Sequence, residues 1–325
     1  MISFTEKDDF LPRRRFFARI GGPAARDGPS EPPCGLELLA QKSDHMLGLD
    51  HARHAALRID NRKRVQVVLV EHFGQIVLLH QKVNLNGEPV VATQLIDLFI
   101  LRAYRSPALV RRLYKEAERL CEANRVRVIL GLPNPVSAPL NARFMRVHSF
   151  LSLPTRIGAS IGWPRRTRLQ FSARVKTMPR DEVIERLSAF ATPPGENGLS
   201  WDTATLFERI SDPTCEYAVH ATDNLLLVSS SRRTRGISHA LLCGFFARPE
   251  AAVDSRDIRT LVRAACRLWK HPLFIYAGLN RRLPYLPGLA LSARLRPPIL
   301  VQFRDTACEA DPTFDRFQLI DSDYV

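Results

Sequence analysis

The chain has 325 residues, is 45% apolar and carries a formal net charge of +14. That length supports two hydrophobic cores more comfortably than one. No apolar run reaches eighteen residues, so no membrane-spanning helix is expected, and no Walker loop, nucleophile elbow or dinucleotide fingerprint is present.

Residues 1–35 are rich in Pro, Gly and Arg and read as a disordered basic tail. Within it, PRRRFFARIGG is superficially similar to a twin-arginine export signal, but no apolar segment follows it. GLELLAQ (35–41) reads as a short helix. His45, Asp50, His51 and His54 follow, and with no HExxH pattern they read as a solvated surface, not a metal site.

Strands are predicted over Val65–Glu71, Ile76–Val83 and Val90–Ile100, with Asn86-Gly87 as the hairpin turn between the last two. Ser106 is a good helix N-cap, and Pro107 then falls at the first helical position, where its missing N–H costs nothing. Leu109, Leu113, Ala117, Leu120 and Cys121 follow at helical spacing. Val126–Leu132 is a buried-strand pattern that stops at Pro133-Asn134-Pro135, and a helix over Ala138–Val147 comes next.

The same order returns in the second half. Phe171–Lys176 is a strand, and Pro179–Phe190 and Trp201–Ile210 are helices. Glu216–His220, Leu225–Ser229 and Ile237–Ala247 are strands, and Arg256–Lys270 is a helix. Leu273–Leu279 is a strand that ends, like its counterpart, at an asparagine, Asn280. Asn134 lies 37 residues after Asp97, and Asn280 lies 36 after Gly244. This spacing reads as a diverged internal duplication, with the commonness of strand–helix–strand units as the alternative.

The six cysteines include no CxxC pair and most lie in apolar runs, which fits a reducing cytoplasm. The positive charge attracts anions in general, but no helix-turn-helix, zinc finger or aromatic-interleaved basic strand accompanies it. SSSRRTRGIS reads as a basic hairpin loop, holding an anionic substrate or nothing, and Asp321 and Asp323 read as an exposed acidic end, with a cation site as the alternative.

Several stretches, taken in order, resemble the GNAT superfamily of acyl-CoA N-acyltransferases, and most closely the bacterial proteins with two such domains in tandem. They are IDLFILRAYRSPALVRRLYKEA, LGLPNPVS, LSWDTATLFERISDPTCEYAVH and the terminal FQLIDSDYV. The resemblance covers most of residues 60–325. It implies an α/β fold of two tandem GNAT-like domains, each a mixed, mostly antiparallel sheet flanked by helices, over 36–168 and 169–325. It also implies acetyl-CoA or another acyl-CoA as co-substrate and a small-molecule amine, such as an amino sugar or amino acid, as acceptor.

The family's central strand and its neighbour splay at a bulge and admit the pantetheine arm, and the next helix receives the pyrophosphate on its N-terminal N–H groups. Carried over, the phosphate contacts fall on Arg105, Ser106, Ala108 and Leu109, with Arg102 as added charge, and a pantetheine contact falls on Asn134. Asn134 reads equally well as a plain Asx turn. Asp97 on the central strand is the candidate base.

Two features depart from the pattern. Arg105-Ser106-Pro107-Ala108-Leu109 lacks the family's glycines, and Phe144 and Met145 stand where the family's acidic Tyr is common, with His148 nearby. In the second half Glu250, Asp254 and Asp257 cluster where a phosphate would go, so that half is expected to bind no CoA and instead to complete the substrate cleft. The alternative function is a catalytically silent GNAT-like module that binds a ligand or partner protein.

Overall fold

The protein is seen in a computed structural model that describes residues 55–59, 65–70, 74–160, 168–193, 195–234, 236–307 and 311–322. The basic tail, the helix expected over 35–41 and the cluster of His45, Asp50, His51 and His54 lie outside the described residues, as do Cys34, Cys308 and Asp323.

β1 (Ala55–Ile59), β2 (Val65–Val70), β3 (Gly74–Leu85) and β4 (Glu88–Ile100) form an antiparallel meander. Asn86 and Gly87, with φ of 52 and 84, make the turn between β3 and β4, the positive-φ geometry that a two-residue hairpin favours. Helix α1 (Pro107–Ala123) then buries Leu109, Leu113, Tyr114, Ala117, Leu120 and Cys121. This stripe packs on Val68, Ile76, Leu78, Leu95 and Ile129 of the sheet. β5 (Val128–Gly131), α2 (Ser137–Met145), β6 (His148–Leu153) and β7 (Thr155–Ala159) complete the first half.

In the second half, β8 (Phe171–Arg174), α3 (Arg180–Ser188), β9 (Gly198–Leu199) and α4 (Thr203–Ile210) precede another meander, β10 (Tyr217–Ala221), β11 (Leu225–Thr234) and β12 (Ile237–Ala247). Helix α5 (Ser255–Leu268) buries Ile258, Leu261, Val262 and Ala265 on Leu225, Leu227, Leu242 and Tyr276. β13 (Leu273–Asn280), β14 (Leu289–Ala290), β15 (Ile299–Asp305) and β16 (Arg316–Gln318) end the chain.

Among the described residues these strands join in one mixed sheet, ordered β6-β15-β5-β4-β3-β9-β16-β13-β12-β11-β10-β8. Each half is completed by a strand of the other. β15 inserts between β5 and β6, and β7 pairs with β13. A core including Val128, Leu130, Val219, Val228, Leu241 and Phe303 is shared by both halves. Arg127, the residue before β5, and Asp305 of β15 close the exchange with an ion pair at 3.1 Å.

The strand expected over Val126–Leu132 is shorter, because Val126 and Arg127 hold backbone bonds to Cys121 and Val91 before the ladder begins. Asp321 is buried, not part of an exposed acidic end: it accepts from the Trp201 indole (2.5 Å) and the Gln318 backbone N–H (2.6 Å). Burial raises its carboxyl above the usual range, opposed by Arg316.

Candidate functional site

β4 and β5 run parallel and are paired only from Ala92↔Val128 to Leu95↔Gly131. β4 then continues to Ile100, while β5 stops and the chain turns away through Leu132-Pro133-Asn134-Pro135. Between Ile96 and Phe99 β4 carries one residue more than β3 opposite it, a bulge that bends the strand away from regular pairing. The two parallel strands therefore part at Leu95 and Gly131 and leave the edge of β4 beyond that point outside the β4–β5 ladder.

Asp97, the sequence candidate for a base, lies on β4 between Ile96 and Leu98, in the bulge; its side chain is outside the described residues. The side chain of Arg102 is likewise outside them.

Beyond β4 the start of α1 is built as the sequence suggests. Ser106 Oγ accepts from the Leu109 N–H at 3.2 Å, and Pro107 is the first helical residue. The first turn has no acidic residue. Arg105 is exposed and its Nε donates to the Ile100 carbonyl (3.4 Å), which holds it between the end of β4 and the start of the helix. Ala108 is exposed, whereas Leu109 sends its side chain into the core and gives its N–H to the cap. Of the four residues matched to the phosphate pattern, Arg105, Ser106 and Ala108 face outward together and Leu109 does not.

Asn134 is exposed at the end of β5 and caps the next helix. Its Oδ1 accepts from the Val136 and Ser137 N–H groups at 2.9 and 2.8 Å and from Ser137 Oγ at 3.1 Å. Its oxygen is thus committed to the turn, and only its amide nitrogen is left to meet a ligand.

Beneath Gly131 lies a polar cluster that sequence reasoning missed. Tyr114 of α1 stacks on Phe144 of α2, with ring centroids 5.2 Å apart, and donates its hydroxyl to Asn141 Oδ1 at 2.5 Å. Burial raises the Tyr114 hydroxyl, which keeps it protonated and a donor. A Cβ at Gly131 would lie 3.2 Å from Asn141 Nδ2 and 3.5 Å from Gln302 Oε1, so two amides converge where β5 leaves β4. Gln302 Oε1 is buried without a hydrogen-bond partner among the described residues. The signal available in the sequence was Asn141 itself, a polar residue between Leu140 and Phe144 on the inner face of a helix. His148 does not join this cluster; it starts β6 and pairs with Asp311 at 2.6 Å.

The second half opens in the same way and is then filled. β12 and β13 are paired from Ala240↔Phe274 to Leu242↔Tyr276. Beyond that, β16 pairs with Gly278–Asn280, and the Gln318 side chain reaches across to β12. There its Nε2 donates to the Phe245 carbonyl (3.0 Å) and its Oε1 accepts from the Phe245 N–H (2.8 Å). The start of α5 is occupied as well. Asp254 and Asp257 form a reciprocal capping box, and Arg168 bridges both carboxylates at 3.2 and 3.4 Å. Arg282 turns to the carbonyls of Arg248 and Pro249 in the loop before it, at 2.7 and 2.6 Å. Among the described residues no group of three His, Cys, Asp or Glu side chains is placed to hold a metal.

No family model matches the chain, and no curated protein matches it. Solved structures do. A GCN5-related N-acetyltransferase from Kribbella flavida aligns over 74% of this chain and 59% of its own, at 11% identity and a TM-score of 0.51. A GCN5-related N-acetyltransferase from Anabaena variabilis aligns over 74% of this chain and 62% of its own, at 12% identity and a TM-score of 0.48. A tandem GNAT protein from the clavulanic acid biosynthesis pathway aligns over 87% and 91%, at 12% identity and a TM-score of 0.42. The chain thus spans about three fifths of the first two proteins' length. With the Kribbella structure as the match that carries weight, and with two parallel strands that part at a bulge ahead of a capped helix, this chain has the GNAT fold.

Proposed function

We propose that the protein is an acyl-CoA-dependent N-acyltransferase that uses acetyl-CoA or a longer acyl-CoA to acylate a small-molecule amine such as an amino sugar or amino acid. The observation that carries this reading is the parting of β4 and β5 at Leu95 and Gly131, over a helix whose first turn has no carboxylate. A pantetheine arm bound there would lie along the β4 edge left by β5, with its phosphates near Arg105, Ser106 and Ala108 and its amides within reach of Asn134. Asp97, from the bulge, would take the proton of the attacking amine. The tandem arrangement, 36–168 followed by 169–325, belongs to the same reading, as does a cytoplasmic setting. The second half binds no CoA in this scheme: Gln318 fills its slot, and Asp254 and Asp257 hold the anion end.

A second reading has a specific observation behind it. Pro107 replaces a backbone donor, and Phe144 lacks the hydroxyl that the family's acid needs, so a silent ligand-binding module would show the same slot without turnover. Thermal unfolding with acetyl-CoA, longer acyl-CoAs and free CoA tests the binding step, since any ligand that favours the native state raises Tm by mass action. A gain with any of them, lost in Arg105→Glu, supports the slot, and absence of gain across the series refutes it. Release of CoA in the presence of an amine then separates the enzyme from the silent module.

A further inference from the structure

The second half carries a surface that the acyl-transfer reading does not use. Between Asp257 and Asp305 the sequence has no acidic residue, yet it has nine Lys and Arg. The stretch from Asn224 to Pro249, which contains the β11–β12 hairpin, also has no acidic residue. Helix α5 shows Arg256, Arg259 and Arg267 to solvent, and Lys270 just after it is exposed too.

Against this charge stand large apolar side chains in water. Leu289 is 80% exposed, Leu295 78% and Ile237 58%. Leu289 and Leu295 belong to one excursion of the chain between β13 and β15, and Arg294 and Arg296 flank Leu295 on both sides. The excursion is fastened to its surroundings. Arg156 Nη2 donates to the Gly288 carbonyl at 2.8 Å, and the Tyr285 hydroxyl reaches the Ser255 carbonyl, in the first turn of α5, at 3.4 Å. The β11–β12 hairpin also approaches the end of α5. Ser231 Oγ of β11 and His271 Nε2, just after α5, are 2.9 Å apart, and the His239 imidazole, two residues from Ile237, is held down chiefly by burial and further by the nearby charges of His271 and Arg296.

Single exposed leucines need no explanation. Two of them largely in water, in a stretch of chain that carries arginines and no acidic residue, combine the two attractions by which proteins sit on charged bilayers. Apolar tips gain by entering the acyl region, and arginines beside them remain at the phosphate level. A nucleic acid would use the cations and leave the leucines in water, so the composition favours lipid. We propose that this end of the second half, led by Leu289, Leu295, Arg294 and Arg296, docks the protein on an anionic membrane surface.

Co-sedimentation of the full chain with phosphatidylcholine vesicles, with and without one third phosphatidylglycerol, tests this. Binding is expected only to the anionic vesicles and is expected to weaken with salt. Leu289→Ser combined with Leu295→Ser should weaken it about tenfold with Tm unchanged, because both side chains are already in water. Arg294→Glu with Arg296→Glu should abolish it. Absence of binding to anionic vesicles at low salt would overturn the proposal. So would binding that ignores the leucine pair, or a leucine-independent affinity for duplex DNA or RNA that exceeds the affinity for vesicles.

Discussion

The Gln318 side-chain amide pairs with both backbone groups of Phe245, as a neighbouring strand would. β12 would otherwise present an unpaired N–H inside the sheet. Phe245 O has a second donor in Asn280 Nδ2 (3.1 Å), but Phe245 N–H is given no other partner. Gln318→Leu should therefore cost about 2–3 kcal/mol in urea unfolding, the cost of a buried orphaned donor. Gln318→Glu should cost no less, because its carboxylate can accept from the N–H but must also be desolvated and faces the Phe245 carbonyl. A loss below about 0.5 kcal/mol in both variants would mean that the amide is a spectator.

The two halves differ at the start of the helix after the bulged strand, and one substitution can make the first resemble the second. Asp254 caps α5 with a carboxylate, whereas Ser106 caps α1 with a hydroxyl. Asp is as good an N-cap as Ser, so Ser106→Asp should leave stability within about 0.5 kcal/mol of the parent. It places a negative charge where the phosphates would bind. The Tm gain expected from acyl-CoA should then vanish while the unliganded Tm stays put. Retention of that gain in Ser106→Asp would move the phosphate site elsewhere.

Much of the fold was legible because periodicity and caps act locally. The α1 stripe, its Ser106-Pro107 start, the Asn86-Gly87 turn and the bounds of β12 follow from nearest-neighbour chemistry. β6, β7, β15 and β16 were not read, because they are specified by partners distant in sequence and not by a local pattern. β15 pairs with residues about 170 positions earlier, and no local pattern announces that. The site was legible in outline only. The end of β5 at Asn134 was visible, but the use of its oxygen as a cap was one of two equal readings. The convergence of Tyr114, Asn141 and Gln302 on Gly131 needs three elements to meet and leaves no motif.

His220 gives the fold a predictable acid limb. It is fully buried, with Nδ1 2.7 Å from Ser172 Oγ and Nε2 2.7 Å from Ser229 Oγ. The Trp269 indole also donates to Ser229 Oγ, at 2.9 Å. Burial pushes the imidazole down to about 3. The unfolded chain takes up this proton near the ordinary value of about 6.5, so it binds more protons than the native state between the two values. Stability must fall as pH drops through that window, by at most about 1.4 kcal/mol per unit from this group. His220→Gln should lower stability at pH 7 but flatten the slope between pH 6 and pH 4 by close to one proton. An unchanged slope would show that the imidazole is not desolvated.

Gly131 offers the sharpest test of the apex of the slot. Its backbone is not in the left-handed region, so alanine is conformationally acceptable there, and such a change in a strand ordinarily stabilises by about 0.5 kcal/mol. Here the added methyl would meet Asn141 Nδ2 at 3.2 Å, closer than carbon usually sits, and Asn141 cannot easily yield because Tyr114 holds its other end at 2.5 Å. Gly131→Ala should therefore destabilise, by about 1 kcal/mol, an overpacking cost. Tyr114→Phe alone should cost about 1–2 kcal/mol for the lost hydrogen bond and the stranded Asn141 oxygen. In the double variant Asn141 is released and can shift away from the methyl, so the costs should fall short of additive by at least about 0.5 kcal/mol. Additive losses would mean that the Tyr114 hydroxyl does not fix Asn141 beneath Gly131, and the polar floor of the slot would then be adjustable, not built.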